Sequence, residues 1–401
     1  MKDVKIVFES MCQPAYAVAC RDGRKTLEVQ AFEGELTVSV AYTWSRRPLE
    51  MTVAMPPRAR VELILMPHRV ELYLDGELAD EEWPAGERLF TPEDTFLTEH
   101  RPVCLPYEEP KTPQPAVLGT LDGVEGWRPG GGVFVGDCMP YRRDDEYHVL
   151  YLKDRHHHRS KWGMGAHQWE HLSTKDLKTW QIHPMAVPIT DPEEGSICTG
   201  SWIRRNGTEY LFYTVRRGGG KPALIRRSRS ADGYHFEKDP DFRFTVSDRY
   251  HAASARDPKV IAGADGLYHM FLTTTHLTTG RGCLAHYVSA DLDRWEEQDT
   301  PIYMAPNGDQ PECPDYFFYG GRYYLVYSLR GRAHYAISEE PFSGFAEPED
   351  PIIPCESVPK CAEWEGRLIF AGFKNIGGYA GTMTLKAARA AEDGRLIFED
   401  L

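Results

Sequence analysis

No stretch of this sequence approaches the roughly 20 consecutive apolar residues that a bilayer-spanning helix needs, which leaves no candidate for a helical anchor. The opening residues, Met1 to Ser10, carry neither the apolar core nor the small-residue cleavage site of a secretory signal and read as a strand. The nine cysteines are an odd number without paired spacing, in a chain too large to need covalent staples. A disulfide framework is therefore not expected, and free thiols in a reducing cytoplasm are. Positive charge is short as well. Lys and Arg number 46 against 60 Asp and Glu, for a net charge of -14. Nucleic acids and anionic membranes both require a basic footprint, so neither is an expected partner. Helical periodicity of useful length is missing from the first hundred residues.

What remains is a globular composition, 41% hydrophobic and 26% charged, written in strand-like text. Thr26–Phe32 and Glu35–Val40 alternate in hydrophobicity, as does Val70–Leu74 before the Asp75-Gly76 turn. Residues 1–105 are thus expected to form a β-rich, sandwich-like domain. A proline-dense stretch follows, with Pro102, Pro106, Pro110, Pro113 and Pro115, and residues 106–117 read as a linker.

The rest of the chain repeats itself. A short turn followed by an aromatic-rich strand occurs at Asp144–Tyr151, Asn206–Tyr213, Asp265–Phe271 and Gly320–Tyr327, and more weakly at Glu365–Phe370. The lead residues Tyr147, Tyr210, Tyr268, Tyr323 and Leu368 are spaced by 63, 58, 55 and 45. After each of the first four comes a second phrase, in which a strand ends in Ser, turns tightly and restarts on an aromatic: Ser173–Trp180, Ser230–Phe236, Ser289–Trp295 and Ser338–Phe342. A repeat of this length in all-β text predicts propeller blades. Residues 118–401 are therefore expected to fold as a five-bladed β-propeller, making the whole chain all-β.

In a propeller the first strand of each blade lines the central channel. If the aromatic phrase is the second strand, the first lies about ten residues upstream. Asp137 precedes Tyr147 by 10, Asp257 precedes Tyr268 by 11, and Glu312 precedes Tyr323 by 11. Any one acid near a β-turn is ordinary solvated surface, but three at one offset are expected to face a common channel. Glycosidic bond cleavage uses such a set: one carboxylic acid protonates the leaving oxygen while a second carboxylate attacks or activates water. Crowding also raises the pKa of one member, keeping a general acid protonated near neutrality.

Around these acids the sequence resembles glycoside hydrolase family 32, which includes invertases, levanases and inulinases. Ser254–Pro258 contains an Arg-Asp-Pro motif, and Pro311–Phe317 is similar to the family's Glu-Cys motif. Gly163–Trp180 and Gly195–Ser201 are similar to its first- and second-blade phrases. The resemblance spans about residues 118–401. It implies that Asp137 is the nucleophile, that Asp257 stabilises the transition state through sugar hydroxyls, and that Glu312 is the acid/base. Arg256 would help to hold the substrate through its guanidinium fork. The chain departs from the family's Trp-Met-Asn-Asp-Pro-Asn-Gly by reading Gly136-Asp137-Cys138-Met139-Pro140, and its β-rich domain precedes the propeller instead of following it.

The expected activity is retaining removal of a terminal β-fructofuranosyl unit from an oligosaccharide, with no metal or cofactor. The alternatives are an inverting arabinofuranosidase- or xylosidase-type propeller, and a sugar-binding propeller without catalysis. His158, in the run Asp154–Arg159, is a candidate substrate contact; three adjacent histidines cannot converge on one ion without distortion. His167 and Trp169 are candidates for the pocket or for the core, and Ser201 is a further substrate-binding candidate. Cys313 either shapes the strand around Glu312 or acts as a thiol, which would need an electropositive site. Arg216–Lys221 lacks the strand–loop–helix context of a phosphate cradle and reads as a rim loop that would favour an anionic group.

Overall fold

The computed structural model describes residues 3–43, 47–84, 86–97, 102–110 and 112–401, so Met1 and Lys2 of the expected first strand lie outside the described residues. Two compact units emerge. The first comprises Met1–Pro113 together with Arg159–Gly163 and Ile189–Gly195, and the second comprises Gln114–His158, Met164–Pro188 and Ser196–Leu401.

In the first unit, one five-stranded sheet runs in the order Val103–Pro106, Val4–Cys12, Arg58–Leu65, Val70–Leu74 and Glu77–Glu82. A second runs Leu49–Ala54, Glu35–Val40, Arg24–Phe32, Ala15–Arg21 and Thr95–Phe96. The alternation seen in the sequence becomes the inside and outside of these sheets: Leu36, Val38 and Val40 are fully buried while Glu35 is exposed. Ile6, Val61, Leu63 and Leu72 of one sheet share a core with Val29, Val38 and Ala31 of the other, the packing of a β-sandwich. The Asp75-Gly76 turn has positive φ at both residues (51° and 90°), as a two-residue hairpin of the right twist requires.

The second unit is the propeller, five antiparallel blades of which the inner strands are Phe134–Arg143, Ser196–Arg205, Arg256–Ala262, Glu312–Tyr319 and Ser357–Trp364. Each pairs with the following strand: Glu146–Asp154, Thr208–Arg216, Tyr268–His276, Arg322–Leu329 and Arg367–Asn375. Blade five closes on blade one through the pair Val135 and Gly381.

The second repeated phrase has a local cause. The Ser230 hydroxyl accepts the backbone N–H of Asp232 and Gly233, and Asp232 Oδ1 accepts those of Tyr234 and His235. Ser289 and Asp291 repeat the arrangement. In blade one the same work falls to Thr174 with Asp176, not to Ser173. The hydroxyl–acid pair therefore satisfies four backbone donors that would otherwise be orphaned in a tight turn. The third residue of each turn is left-handed, namely Leu177, Gly233 and Leu292.

A second repeat was invisible in composition. Every inner strand carries a β-bulge near its start: the register slips at Gly136-Asp137, Cys198-Thr199, Asp257-Pro258, Cys313-Pro314 and Val358-Pro359. Three of the five place a proline where a ladder bond is skipped, which is where a sheet tolerates one. Asp257, Cys313 and Val358 take positive φ values of 57°, 52° and 45° there. Such conformations are costly away from glycine and re-aim the side chains that follow.

Candidate active site

The bulges bring the three acids together, but not on one level. Glu312 is the residue before its bulge, Asp257 the first residue of its own, and Asp137 the second. The nearly equal sequence offsets conceal this stagger for two reasons: the lead aromatic of blade one is not equivalent to the others, and the hairpin of blade three, from Ala262 to its partner Tyr268, is one residue longer than that of blade four, from Phe318 to Tyr323. Tyr210, Tyr268, Tyr323 and Leu368 stand four residues before the residue opposite the bulge (Thr214, Leu272, Tyr327 and Gly372), whereas Tyr147 stands five before Leu152. Burial follows the stagger. The Glu312 side chain is 46% exposed, whereas Asp137 and Asp257 are 7% and 2% exposed.

Two groups bridge the acids. The buried Cys313 thiol lies 3.4 Å from Asp137 Oδ2 and 3.6 Å from Asp257 Oδ2, and its backbone N–H donates to Asp257 Oδ2 at 3.0 Å. Burial pushes this thiol far up, with Asp257 and Asp137 adding to the shift. It is a neutral packing and donor group, not a thiolate. Arg256 donates from Nη2 to Glu312 Oε1 at 2.5 Å and places Nε 3.5 Å from Asp257 Oδ2. Its Nη1 is bonded to Ser254 O and Gln310 Oε1. The guanidinium is thus engaged by the protein, tying two acids together. Burial pushes the Asp257 carboxyl up, against the pull of Arg256 and with a further push from Glu312.

Asp137 has two partners that sequence reasoning missed. Thr199 Oγ1 donates to Oδ2 at 2.5 Å, and Tyr379 donates its hydroxyl to Oδ1 at 2.9 Å. Thr199 had a signal, since it occupies the bulge position in blade two that Asp137 occupies in blade one. Tyr379 had none. It reaches in from the hairpin between the second and third strands of blade five, Arg367–Asn375 and Gly381–Ala390.

The remaining candidates divide. Asp154 organises the histidine loop, accepting the backbone N–H groups of His157 and His158 and lying 2.9 Å from His167 Nε2. His158 and His167 then pack against the Tyr379 ring, with centroids 5.3 and 5.2 Å away. Both therefore stand beside Asp137's partner, and burial pushes His158 down to about 4, leaving it neutral. Trp169 is fully buried, donates to Cys198 O and packs on Tyr213; it is core, with no face for a sugar. Ser201 is buried too. Its hydroxyl donates to Pro258 O and accepts Val260 N–H, both at 2.8 Å, stitching the inner strands of blades two and three.

Among the described residues, the set that comes nearest to metal binding is elsewhere in blade one: His148, His171 and His183 offer nitrogens within 4.8 Å of one another. Hydrogen bonds engage part of this set, and the buried His171 Nδ1 has no hydrogen-bond partner among the described residues. His148 Nδ1 and His171 Nε2 are 2.9 Å apart, His148 Nε2 is 3.2 Å from Glu146, and His183 is shared between Ser173 Oγ and Ala116 O. Blade three builds the same carboxylate–imidazole–imidazole chain from Asp265, His269 and His286, with no third histidine. The chains read as stitching within the blades.

Residues 139–342, just over half of the chain, match the family model described as the Glycosyl hydrolases family 32 N-terminal domain. Among curated proteins, the sucrose-6-phosphate hydrolase of Escherichia coli is 31% identical over 198 residues, 47% of this chain and 39% of that protein. The chain thus spans about two fifths of this relative's length. Among solved structures, fructan 1-exohydrolase IIa from Cichorium intybus superposes with a TM-score of 0.58 at 18% identity, covering 70% of this chain and 60% of that one. A family-43 β-xylosidase/α-arabinofuranosidase from a compost microbial metagenome gives a TM-score of 0.52 at 15% identity, covering 70% and 98%. These two likenesses carry the propeller fold alone. With the Arg-Asp-Pro and Glu-Cys segments both inside the matched region, the chain belongs to glycosyl hydrolase family 32.

Proposed function

We propose that this protein removes a terminal β-fructofuranosyl unit from an oligosaccharide or a phosphorylated sucrose-like sugar by double displacement. The observation that carries the reading is the bridged carboxylate set, two buried acids and one solvent-reaching acid linked through Cys313 and Arg256. Glu312 is the member able to exchange protons with water, so it donates to the leaving oxygen as the glycosidic bond breaks. Asp137, anchored through both oxygens, attacks the anomeric carbon and forms a covalent ester. Glu312 then takes a proton from water, which opens the ester and restores both carboxyls. Asp257 accepts hydroxyl hydrogen bonds that strengthen as the oxocarbenium-like state develops. The phosphorylated option draws on the sucrose-6-phosphate hydrolases among the relatives and on Arg216, which ends the second strand of blade two, with Arg217 directly after it. Nine free thiols fit a cytoplasmic setting.

The test is a hydrolysis panel of sucrose, sucrose 6-phosphate, fructo-oligosaccharides and aryl arabino- and xylofuranosides, with the anomer of the first-formed product followed by NMR. Fructose released with retained configuration is expected. Activity confined to the arabino- or xylo-substrates, or inversion, would reject the reading.

A further inference from the structure

We infer that Tyr379 is the residue that positions Asp137, standing in the space that a side chain at position 136 would need. The inference rests on the reading of Asp137 as the nucleophile. The contact is reciprocal: the Tyr379 hydroxyl donates to Asp137 Oδ1 at 2.9 Å and accepts Asp137's own backbone N–H at 3.3 Å. One oxygen thereby ties the carboxylate to its own main chain. Thr199 takes a site on Oδ2 at 2.5 Å. A carboxylate offers about four lone-pair sites, so lone pairs remain for attack while rotation of the group is arrested. Pre-orientation of this kind is a principal means by which active sites lower barriers.

The glycine at 136 and the tyrosine at 379 are two halves of one arrangement. A Cβ built on Gly136 would fall 2.7 Å from the Tyr379 hydroxyl oxygen and 3.1 Å from its Cζ. The phenol fills the space a side chain there would need. Its delivery is fixed on three sides. Gly381 pairs with Val135 of the neighbouring inner strand, and His157 Nδ1 donates to the Tyr379 carbonyl at 2.8 Å. Gly378 lies so close to His157 that a Cβ would come within 2.9 Å of the His157 Cβ. Burial and the adjacent Asp137 carboxylate push the phenol far above its ordinary value, so it remains a donor throughout the working pH range.

Tyr379→Phe keeps the ring packing against Phe373, His158 and His167 and removes only the hydroxyl. In an enzyme whose wild type cleaves the fructoside panel, kcat is expected to fall by about ten- to a hundredfold with KM within about twofold. The acid limb of the pH–rate profile should move to higher pH, because a carboxylate that loses a donor protonates more readily. Gly136→Ala, which displaces the hydroxyl sterically, should reproduce the loss. The double variant should be little worse than either single one, since both act through one contact. Unchanged kcat and acid limb in Tyr379→Phe would overturn the inference. So would a loss accompanied by a lower melting temperature with an unmoved acid limb, which marks a structural role. A wild-type protein inactive on every furanoside would instead remove the functional reading together with this one.

Discussion

At the scale of single residues, the roles proposed for Glu312 and Asp137 make different demands on the substrate, which allows them to be separated. Glu312 is half exposed and held by Arg256; as a general acid it matters in proportion to how poor the leaving group is. Glu312→Gln should therefore lower turnover of sucrose by about a hundred- to ten-thousandfold. On an aryl β-fructofuranoside, whose phenolate leaves without help, the first step should be largely spared. Asp137→Ala should abolish both, because no leaving group substitutes for a missing nucleophile. Stopped-flow release of the aryl group checks the distinction, and equal losses on the two substrates would reject the assignment. Arg256 is expected to act through these acids. With its donors on Glu312, Gln310 and Ser254, Arg256→Lys should lower kcat more than it raises KM, since a lysine cannot span the same partners.

At the scale of strands and turns, the propeller was legible because its repeats are made of local chemistry. A hydroxyl and an acid two residues apart must recur wherever the same tight turn recurs, and the lead aromatics Tyr147, Tyr210, Tyr268 and Tyr323 recur because each packs, fully or partly buried, on a hydrophobic cluster of the propeller. Asp291→Ala should remove the acceptor for the N–H groups of Asp293 and Arg294. The propeller should then lose about 1 kcal/mol by urea denaturation, with kcat unchanged because the turn lies at the opposite end of the blade from the bulges. An unaltered urea midpoint would show that water satisfies those donors equally well. The site was only partly legible. Asp137, Asp257 and Glu312 could be found by counting from the aromatics. Their stagger could not, because a bulge inserts one residue without any compositional mark and changes which side chains face inward thereafter. The same slip explains Ser201, which lies two residues beyond Thr199 and is spent on blade-to-blade bonding. Tyr379 lay out of reach for another reason: its neighbour Asp137 is 242 residues away and meets it only when the ring closes.

At the scale of the molecule, the buried imidazoles make acid the expected route of failure. Burial, reinforced in most cases by neighbouring histidines or arginines, holds His148 and His183 below their ordinary value, His171 well below it, and His158 and His286 at about 4. In the unfolded chain each would titrate near the model-peptide value of about 6.5. The native state therefore binds fewer protons than the unfolded one between that value and its own depressed pKa, and stability falls as pH drops through this window. Each such histidine contributes a slope of up to about 1.4 kcal/mol per pH unit. His235, raised by its hydrogen bond to Asp232, works in the opposite sense but is nearly exposed, so its effect is screened. Below about pH 4.5 a second loss begins as Glu146, held down to about 2 mainly by its contact with His148, takes up a proton in the unfolded chain first. Urea melts at pH 7.5, 6.5, 5.5 and 4.5 should therefore show a nearly flat stability above about 6.5 and a steepening fall below it. His286→Phe, which fills a similar space without a titrating ring, should reduce the fall while leaving turnover at pH 7 intact. A stability that stayed level down to pH 4.5 would mean that the histidine chains of blades one and three accept protons in place, and that the blades stretch to let water reach them.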